Sequence, residues 1–595
     1  MPTLQFKGKN IIWNHHMSVP YHTLEKDDTL GFQEDKANGN LLVEGDNLTA
    51  LKALLPEFGG RVKCIYIDPP YNTGKEHWVY NDAVNSPILK EWLGKEVAKE
   101  DLTRHDKWLC MMTPRIKMLY DMLDEDGVVI IHIDEHEVSN LRELLVSIFG
   151  EENEVGTIIW DKGNPKGDST TIAVQHEYIL VFAKNLDRFK AAYALKRTKK
   201  NAQKIIDKAK KLYRKLGKIE LPEELKETIK KYDIPEECIA NYKKPCTLED
   251  INEQFQTWLK KQDFSNGEKA YRFIDEDGKV YQSVSMAWPN KKKAPNEYFE
   301  PLMHPVTGKP CPVPDRGWRN PPETMNELLR KGLIIFGENE TTQPRRKYLL
   351  KENLDENIPS ILFFGGSDDT LFKEFGIEFD NPKPYKFAKE LLSYFTNKND
   401  IILDSFAGSG TTGHAVMELN KEDGGNRRFI LVQMPENSDK EPDKNICRDI
   451  TRERLVRAIE KYGYESGFEY WHVGQPLDAQ TLLDGNLPPY NAFAKYVYFL
   501  ATGKHLADEK SIDAKRYFVG TYGNEDIYLI YDEDMATLQT LALNYDKAEA
   551  MRSRSGEKKI IAYAPVCFLD EEMLTEMKIE FVSIPYSLFE RKSGA

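Results

Sequence analysis

From Leu41 onward, apolar runs alternate with segments whose apolar residues recur at helical spacing. "LLVEGD" (41–46) reads as a strand, "NLTALKALLPEF" (47–58) as a helix, and "VKCIYIDPPY" (62–71) as a second strand that stops at an acid and two prolines. A helix is expected over roughly 107–123, leading through "DEDG" into the strand "VVIIHID" (128–134). A further helix at 138–149 precedes "TIIW" (157–160) and "EYILVFAK" (177–184). Several of these strands are apolar throughout, the pattern of a parallel sheet covered on both faces.

The alternation stops near residue 185. Residues 185–260 read as charged helices, and 265–380 are rich in Pro, Gly, Trp and Asn with short strands. Then "NPKPYKFAKELLSYF" (381–395) reads as a helix, and "DIILDSFAGSGTTGHAVMEL" (400–419) with "RRFILVQMPE" (427–436) as strand, glycine loop, helix and strand. An α/β sheet is therefore interrupted by an insertion of about 195 residues. The tail has strands of its own ("RYFVG", "IYLIY", "KIIAYA", "EFVSIP"). The expected division is 1–185, 186–380, 381–470 and 471–595, the last a small α/β unit.

Composition changes little in this picture. The 595 residues are 40% hydrophobic and 30% charged, as in a soluble globular protein. No apolar run approaches a membrane span, and "MPTLQFKGKNIIWNHH" lacks the regions of a signal peptide. Seven cysteines with no CxxC pair argue against zinc or a disulfide framework and suit a reducing cytoplasm. Charge is more informative. The net −14 speaks against nucleic acid as a partner. Yet Lys184–Lys218 holds 14 Lys and Arg against two Asp, leaving −26 on the remainder. A basic surface and a solvated helix face both fit that run.

Two short stretches carry candidate chemistry. Asp68-Pro69-Pro70-Tyr71 ends a buried strand with two fixed φ angles and two missing donors, which is either rigid punctuation or a site whose carboxylate and carbonyls are held still. Gly408-Ser409-Gly410-Thr411-Thr412-Gly413 follows a strand and opens a helix, where backbone can approach a ligand. It comes close to a phosphate loop, but His414 and Ala415 stand where the lysine and hydroxyl would be. A cofactor with little phosphate charge suits it better.

Together the two stretches resemble the β-class amino-methyltransferases of DNA, over roughly 40–185 and 380–440, with the catalytic motif before the cofactor motif and an insertion between. "IDPPYNTG", "HIDEHE", "HEYILVFAK" and "NPKPYKF" resemble the modification subunit of type III restriction-modification systems. The resemblance implies a circularly permuted, seven-stranded Rossmann-like domain in which "LLVEGD" supplies the strand missing after "RRFILVQMPE". It implies S-adenosylmethionine as cofactor, no metal, and an adenine flipped out of duplex DNA as substrate.

On that resemblance Asp68 and the Pro69 carbonyl would grip the target amine, Pro70 would stiffen the loop, and Tyr71 would stack on the base. Asp404, Phe406, Ala407, Gly408, Gly410 and Thr411 would hold the cofactor's amino-acid part, with Lys383 beside it. Gln433 or Glu436 would meet the ribose, and Asp46 the adenine edge. A helix N-cap competes for Asp46 and a solvated loop acid for Glu436. His176 and Tyr178 are as readily structural as functional. In the insertion, Lys196, Arg197, Lys199 and Lys200 would lie on phosphates, with Trp318 and Arg319 near base edges. Expected partners are double-stranded DNA, a second copy of the chain, and a separate restriction (helicase-nuclease) subunit. Cytosine methylation is the near alternative, but it favours Ser where Asp68 stands. RNA- or protein-directed amino-methyltransferases usually carry the cofactor motif first.

Overall fold

The computed structural model describes residues 4–73, 103–163, 172–221, 225, 231–232, 243–436, 445–477 and 487–584. Two compact units divide the chain: Met1–Leu195 with Pro359–Ala595, and Lys196–Ile358.

The first unit is built on a ten-stranded sheet. Its strands in chain order are β1 (Tyr21–Phe32), β2 (Leu41–Glu44), β3 (Val62–Ile67), β4 (Leu123–Ile133), β5 (Glu154–Asp161), β6 (His176–Ala183), β7 (Ile361–Phe363), β8 (Ile401–Asp404), β9 (Arg428–Gln433) and β10 (Phe468–Leu477). Their spatial order is β1-β10-β2-β9-β8-β3-β4-β6-β5-β7, with β1 and β6 antiparallel to the rest. The continuous apolar runs have the cause expected of them: both faces are covered. Ile65, Ile67, Val129 and Ile131 join one core with α1 (Asn47–Phe58), α2 (Arg104–Met122) and α3 (Val138–Phe149). The alternate positions Cys64, Tyr66 and Ile130 are as deeply buried on the other face. There the rings of Tyr66, His132, Trp160 and Phe387 meet, the last from α4 (Tyr385–Phe395).

Two of the helices carry local start or stop signals. Asp46 caps α1, its Oδ1 accepting from the N–H groups of Leu48 and Thr49 at 3.0 and 3.2 Å. Gly410 in the left-handed region precedes α5 (Thr411–Asp423), and Gly424 in the same region ends it.

The sheet reverses its winding between β3 and β8. From β3 the chain passes through α2 to β4 on one side, and from β8 through α5 to β9 on the other. β3 and β8 are parallel neighbours, Cys64 opposite Ile402 and Ile65 opposite Leu403. The carboxyl ends of two such strands open a crevice at the point of reversal, where α/β sheets bind ligands. Both candidate motifs emerge there.

The expected insertion 186–380 is larger than the second compact unit. Helix Leu186–Ala192 buries Phe189, and the Tyr193 hydroxyl donates to Asp400 at 2.8 Å. β7 pairs in parallel with β5, and both lie in the first unit. The tail also differs from expectation. β10 joins the main sheet, and a separate four-stranded sheet (Phe518–Tyr522, Glu525–Leu529, Lys559–Ala564, Ile579–Ser583) follows helix Tyr490–Thr502. Tyr496 of that helix stacks on Tyr21 at 4.2 Å, and the tail falls within the first unit.

The second unit has an antiparallel sheet of Phe273–Ile274, Val280–Ser285, Arg345–Leu349 and Ile334–Ile335. Helices Ala202–Tyr213 and Leu248–Lys260 pack Ile205, Leu212, Phe255 and Leu259 into its core. Most of the charged stretch expected to be helical between 221 and 243 lies outside the described residues.

Leu403 is fully buried on β8 at the point of reversal. Leu403→Ala is expected to cost about 2–5 kcal/mol, read as a lower urea midpoint for the first unfolding transition.

Candidate active site

After Ile67 the chain leaves β3 as Asp68-Pro69-Pro70-Tyr71. The Pro70 carbonyl accepts from the indole N–H of Trp108 at 2.7 Å, and Trp108 is wholly buried on α2. Asn72 takes the left-handed region at φ 59° and donates to the buried Glu137 at 2.5 Å. Glu137 is itself held by Asn140 (2.8 Å) and by His105 Nδ1 (2.6 Å). The Pro-Pro turn is thus fastened at Pro70 and just beyond it at Asn72, as groups held in a reacting geometry need to be.

Over this turn lies a cluster of four charges. The Tyr71 hydroxyl donates to Asp68 Oδ1 at 2.6 Å and accepts from Lys383 Nζ at 2.7 Å. The same ammonium donates to Glu177 Oε2 at 2.7 Å and stands 3.4 Å from Asp68 Oδ2. Lys162 pairs with the other oxygen of Glu177. Both ammonium groups lie against the Trp160 ring, at 4.6 and 5.1 Å from its centroid. Burial alone would raise the Glu177 carboxyl, but Lys383 and Lys162 outweigh it and hold the group down to about 2. Burial would likewise lower Lys383, and the charges of Asp68 and Glu177 raise it instead. Behind them, burial and the charge of Lys383 push His132 down to about 4.

The glycine loop forms the adjoining wall. Asp404 ends β8; its Oδ1 accepts from the Phe406 N–H at 3.0 Å and its Oδ2 from the Thr412 hydroxyl. The Ala407 N–H donates to the Val432 carbonyl at 3.1 Å. Gly408 donates its N–H to Gln433 Oε1 at 2.7 Å, and the Gln433 amide donates on to Glu436 at 3.0 Å. Gly408 and Gly410 have φ of 50° and 77°, which a side chain disfavours. A Cβ on Gly410 would also come within 3.1 Å of the Thr451 carbonyl, whereas one on Gly408 would meet nothing nearer than 3.8 Å. Space above the loop is therefore open at Gly408 and closed behind Gly410. Arg454, fully buried, donates to Ser409 Oγ (3.0 Å) and Thr411 Oγ1 (2.8 Å) and pairs with Asp368.

One residue joins the two motifs. The backbone carbonyl of Lys383 accepts from Thr411 Oγ1 at 3.2 Å, while its ammonium reaches Tyr71. Lys383, expected beside the cofactor's amino-acid part, meets the glycine loop through its carbonyl and the Pro-Pro turn through its ammonium. Asp46 serves as the helix cap that competed for it, and its Oδ2 lies 3.4 Å from Arg115. Glu436 is exposed at a left-handed position. His176 and Tyr178 meet edge to face at 4.9 Å, a packing contact. Motif reading passes over Glu177, the middle residue of "HEY". A lone charge at the open end of a core strand was its only signal.

In the second unit, two expected DNA contacts are corrected. The Lys199 side chain is buried and donates to the carbonyls of Asn353 (2.5 Å) and Asp355 (2.9 Å), closing a turn. Trp318 is buried with Met286, Leu302 and Met325, and its indole N–H donates to the Glu300 carbonyl at 2.8 Å. Neither presents its side chain to a duplex. Arg197 is partly buried and pairs with Glu356 at 2.9 Å, while Lys196, Lys200 and Arg319 are exposed.

A reversed parallel sheet with an Asp-Pro-Pro-Tyr turn and a glycine loop at one crevice has a counterpart among known proteins. The family model described as DNA methylase matches residues 62–472, and the chain belongs to that family. Among its relatives is the Mod subunit of the type III restriction-modification enzyme EcoP15I of Escherichia coli, 33% identical over 477 residues, covering 76% of this chain and 68% of that one. The StyLTI Mod subunit of Salmonella typhimurium is 28% identical over 485 residues, covering 76% and 62%. The type II methyltransferase M.KpnI of Klebsiella pneumoniae is 26% identical over 396 residues, covering 65% and 79%. The alignments span about two thirds of these two Mod subunits' own length. The solved PvuII cytosine-N4-specific DNA methyltransferase aligns over 72% of this chain and 95% of its own at 10% identity, with a TM-score of 0.30, too low to argue from.

Burial pushes the Asp404 carboxyl up to about 7. An acid raised in this way keeps its proton in the folded state after the unfolded chain has lost it. Its contribution to stability is therefore full below about pH 4 and declines as pH rises to about 7. Asp404→Asn, with the Thr412 hydroxyl turned to suit the amide, removes that dependence. Its melting temperature relative to the native protein should rise from pH 5 to about pH 7 and level off by pH 8; a difference that ignores pH would show that Asp404 ionises normally.

Proposed function

We propose that the protein transfers a methyl group from S-adenosylmethionine to the exocyclic amine of adenine in duplex DNA, as the modification subunit of a type III restriction-modification system. The observation that carries this reading is Lys383, whose carbonyl holds the glycine loop while its ammonium meets the Asp68–Tyr71 turn. A cofactor pocket and a rigid acceptor turn thereby share one crevice.

The residues suit that cofactor. Open space above Gly408, with the carboxylates of Asp404 and Glu436 flanking the loop, fits an ammonium group and ribose hydroxyls better than a triphosphate. Asp404 would hold the amino-acid end, Phe406, Ala407 and Thr411 would line it, and Gln433 with Glu436 would meet the ribose. When bound, S-adenosylmethionine supplies an electrophilic methyl group. The protein's part is to present the nucleophile. An exocyclic amine is weakly nucleophilic because its lone pair is delocalised. Accepting its hydrogens at Asp68 and the Pro69 carbonyl favours a pyramidal nitrogen with the lone pair freed. Preorganised acceptors do this without rearranging during the reaction. Tyr71 would stack on the flipped base.

The strand order supports a permuted methyltransferase sheet, because β2, from the beginning of the chain, lies directly beside β9. Adenine is favoured over cytosine by Asp68 at the first position of the turn. The exposed Lys196, Lys200, Arg319 and Lys291–Lys293 would meet DNA, and the assembly would contain a second copy of the chain and a separate restriction subunit.

Incubation with labelled S-adenosylmethionine and duplex DNA, followed by sequencing of the product, tests the whole reading. N6-methyladenine at one recurring motif is the expected product. Label in cytosine, RNA or protein alone would refute it. Asp68→Ala is expected to abolish transfer while leaving cofactor affinity within a few-fold. Lys196→Ala with Lys200→Ala should weaken cognate and scrambled duplexes alike. The slope of log affinity against log salt should flatten by about 0.9 for each phosphate no longer neutralised. An unchanged slope would remove those lysines from the DNA track.

A further inference from the structure

Asp68 has two rivals for its oxygens before any substrate arrives: a hydroxyl and an ammonium. The hydroxyl is the nearer, with Tyr71 at 2.6 Å from Oδ1. The Lys383 ammonium stands off at 3.4 Å from Oδ2, because it is drawn to 2.7 Å from Glu177. Glu177 sits at the head of β6, is largely buried, and has Lys162 on its other oxygen. Two carboxylates thus face two ammonium groups, and the cluster is neutral as a whole. We propose that Glu177 is a positioning residue for the reaction: it draws Lys383 toward itself and keeps the ammonium's contact with Asp68 long, so that the shortest bond the target amine must displace is that of the Tyr71 hydroxyl.

The incoming amine must displace whatever already occupies Asp68. A phenol and an aromatic amine are both neutral donors to the Asp68 carboxylate, whereas an ammonium adds the attraction of a full opposite charge to the same hydrogen bond. An aromatic amine, itself neutral, cannot compete with a lysine seated on the carboxylate. It can exchange with a phenol hydroxyl, which leaves Asp68 and keeps its bond from Lys383. Neutralising Glu177 leaves Lys162 and Lys383 facing Asp68 as the one remaining carboxylate. Lys383 then closes on Asp68, and the acceptor is lost without any change in the turn itself. The cofactor loop should be indifferent, since it is held by the Lys383 carbonyl and not by the ammonium. This inference rests on the reading of Asp68 as the acceptor of the target amine.

The test compares Glu177→Gln and Glu177→Asp in the full-length chain with S-adenosylmethionine and a duplex carrying the methylated motif. Glutamine keeps the size and hydrogen bonding of the side chain and removes its charge; aspartate keeps the charge one methylene short. Glu177→Gln should lower kcat by about tenfold or more, with the Kd for S-adenosylmethionine within threefold and the melting temperature unchanged. Glu177→Asp should recover most of that kcat. Turnover of Glu177→Gln within twofold of the native protein would overturn the proposal. So would equal losses in the two variants, or a loss of turnover that accompanies a loss of fold. Asp68→Ala, assayed alongside, separates the two readings. Should it remain active, the acceptor assignment fails and this inference with it. Should it be inactive while Glu177→Gln turns over normally, only the role of Glu177 falls.

Discussion

The site depends on one pairing, the parallel register that sets β8 beside β3 with Leu403 opposite Ile65. The two strands are separated in sequence by the whole of the second unit, yet their ends lie at the same level of the sheet. Because side chains alternate strictly across a sheet, a slip of one residue would carry every side chain of β8 to the opposite face, into packing shaped for its neighbours. Burial on both faces forbids it. The relative height of Asp68 and Asp404 is therefore fixed by hydrophobic packing some distance below them, and polar contacts such as Thr411 to Lys383 only refine it.

Within that frame the site is a nearly neutral arrangement of strong charges. Glu177 is held ionised against its burial by two lysines, and Lys383 is held ionised against its own by two carboxylates. Removing one partner of such a group leaves an uncompensated charge in a low-dielectric place. The second wall follows the same logic at Arg454, whose buried guanidinium is balanced by Asp368 and donates to Ser409 and Thr411. Asp404 alone has no cation among the groups that set its ionisation, and its raised carboxyl reflects that.

Much of this was legible in the sequence, because strands covered on both faces announce themselves as unbroken apolar runs, and because Asp-Pro-Pro-Tyr and Gly-Ser-Gly are local signals. β2, β3, β4, β6, β8 and β9 lie where the runs placed them. What escaped was non-local. Glu177 matters only because β6 delivers it to Lys383, some two hundred residues later in the chain. Thr451 and Arg454 support the glycine loop from a helix with no motif of its own. The expected insertion is wider than the second compact unit for a related reason: Leu186–Ala192 is largely polar and β7 is only three residues long, so both read as insertion, yet they pack on the sheet. The basic run misled in part because composition counts charges without seeing which are enclosed; Lys199 serves two backbone carbonyls, not the surface.

The way the second unit is spliced into the chain bears on how such proteins diversify. The chain leaves the first unit at Leu195 and re-enters it at Pro359, and both seams are fastened to the sheet's own framework, by Tyr193 on Asp400 on one side and by β7 on β5 on the other. Among the described residues, no strand of the main sheet lies between the two seams. On the proposed placing of the DNA contacts in the second unit, recombination confined to the segment between the seams would change the DNA sequence addressed and leave the residues of the crevice as they are.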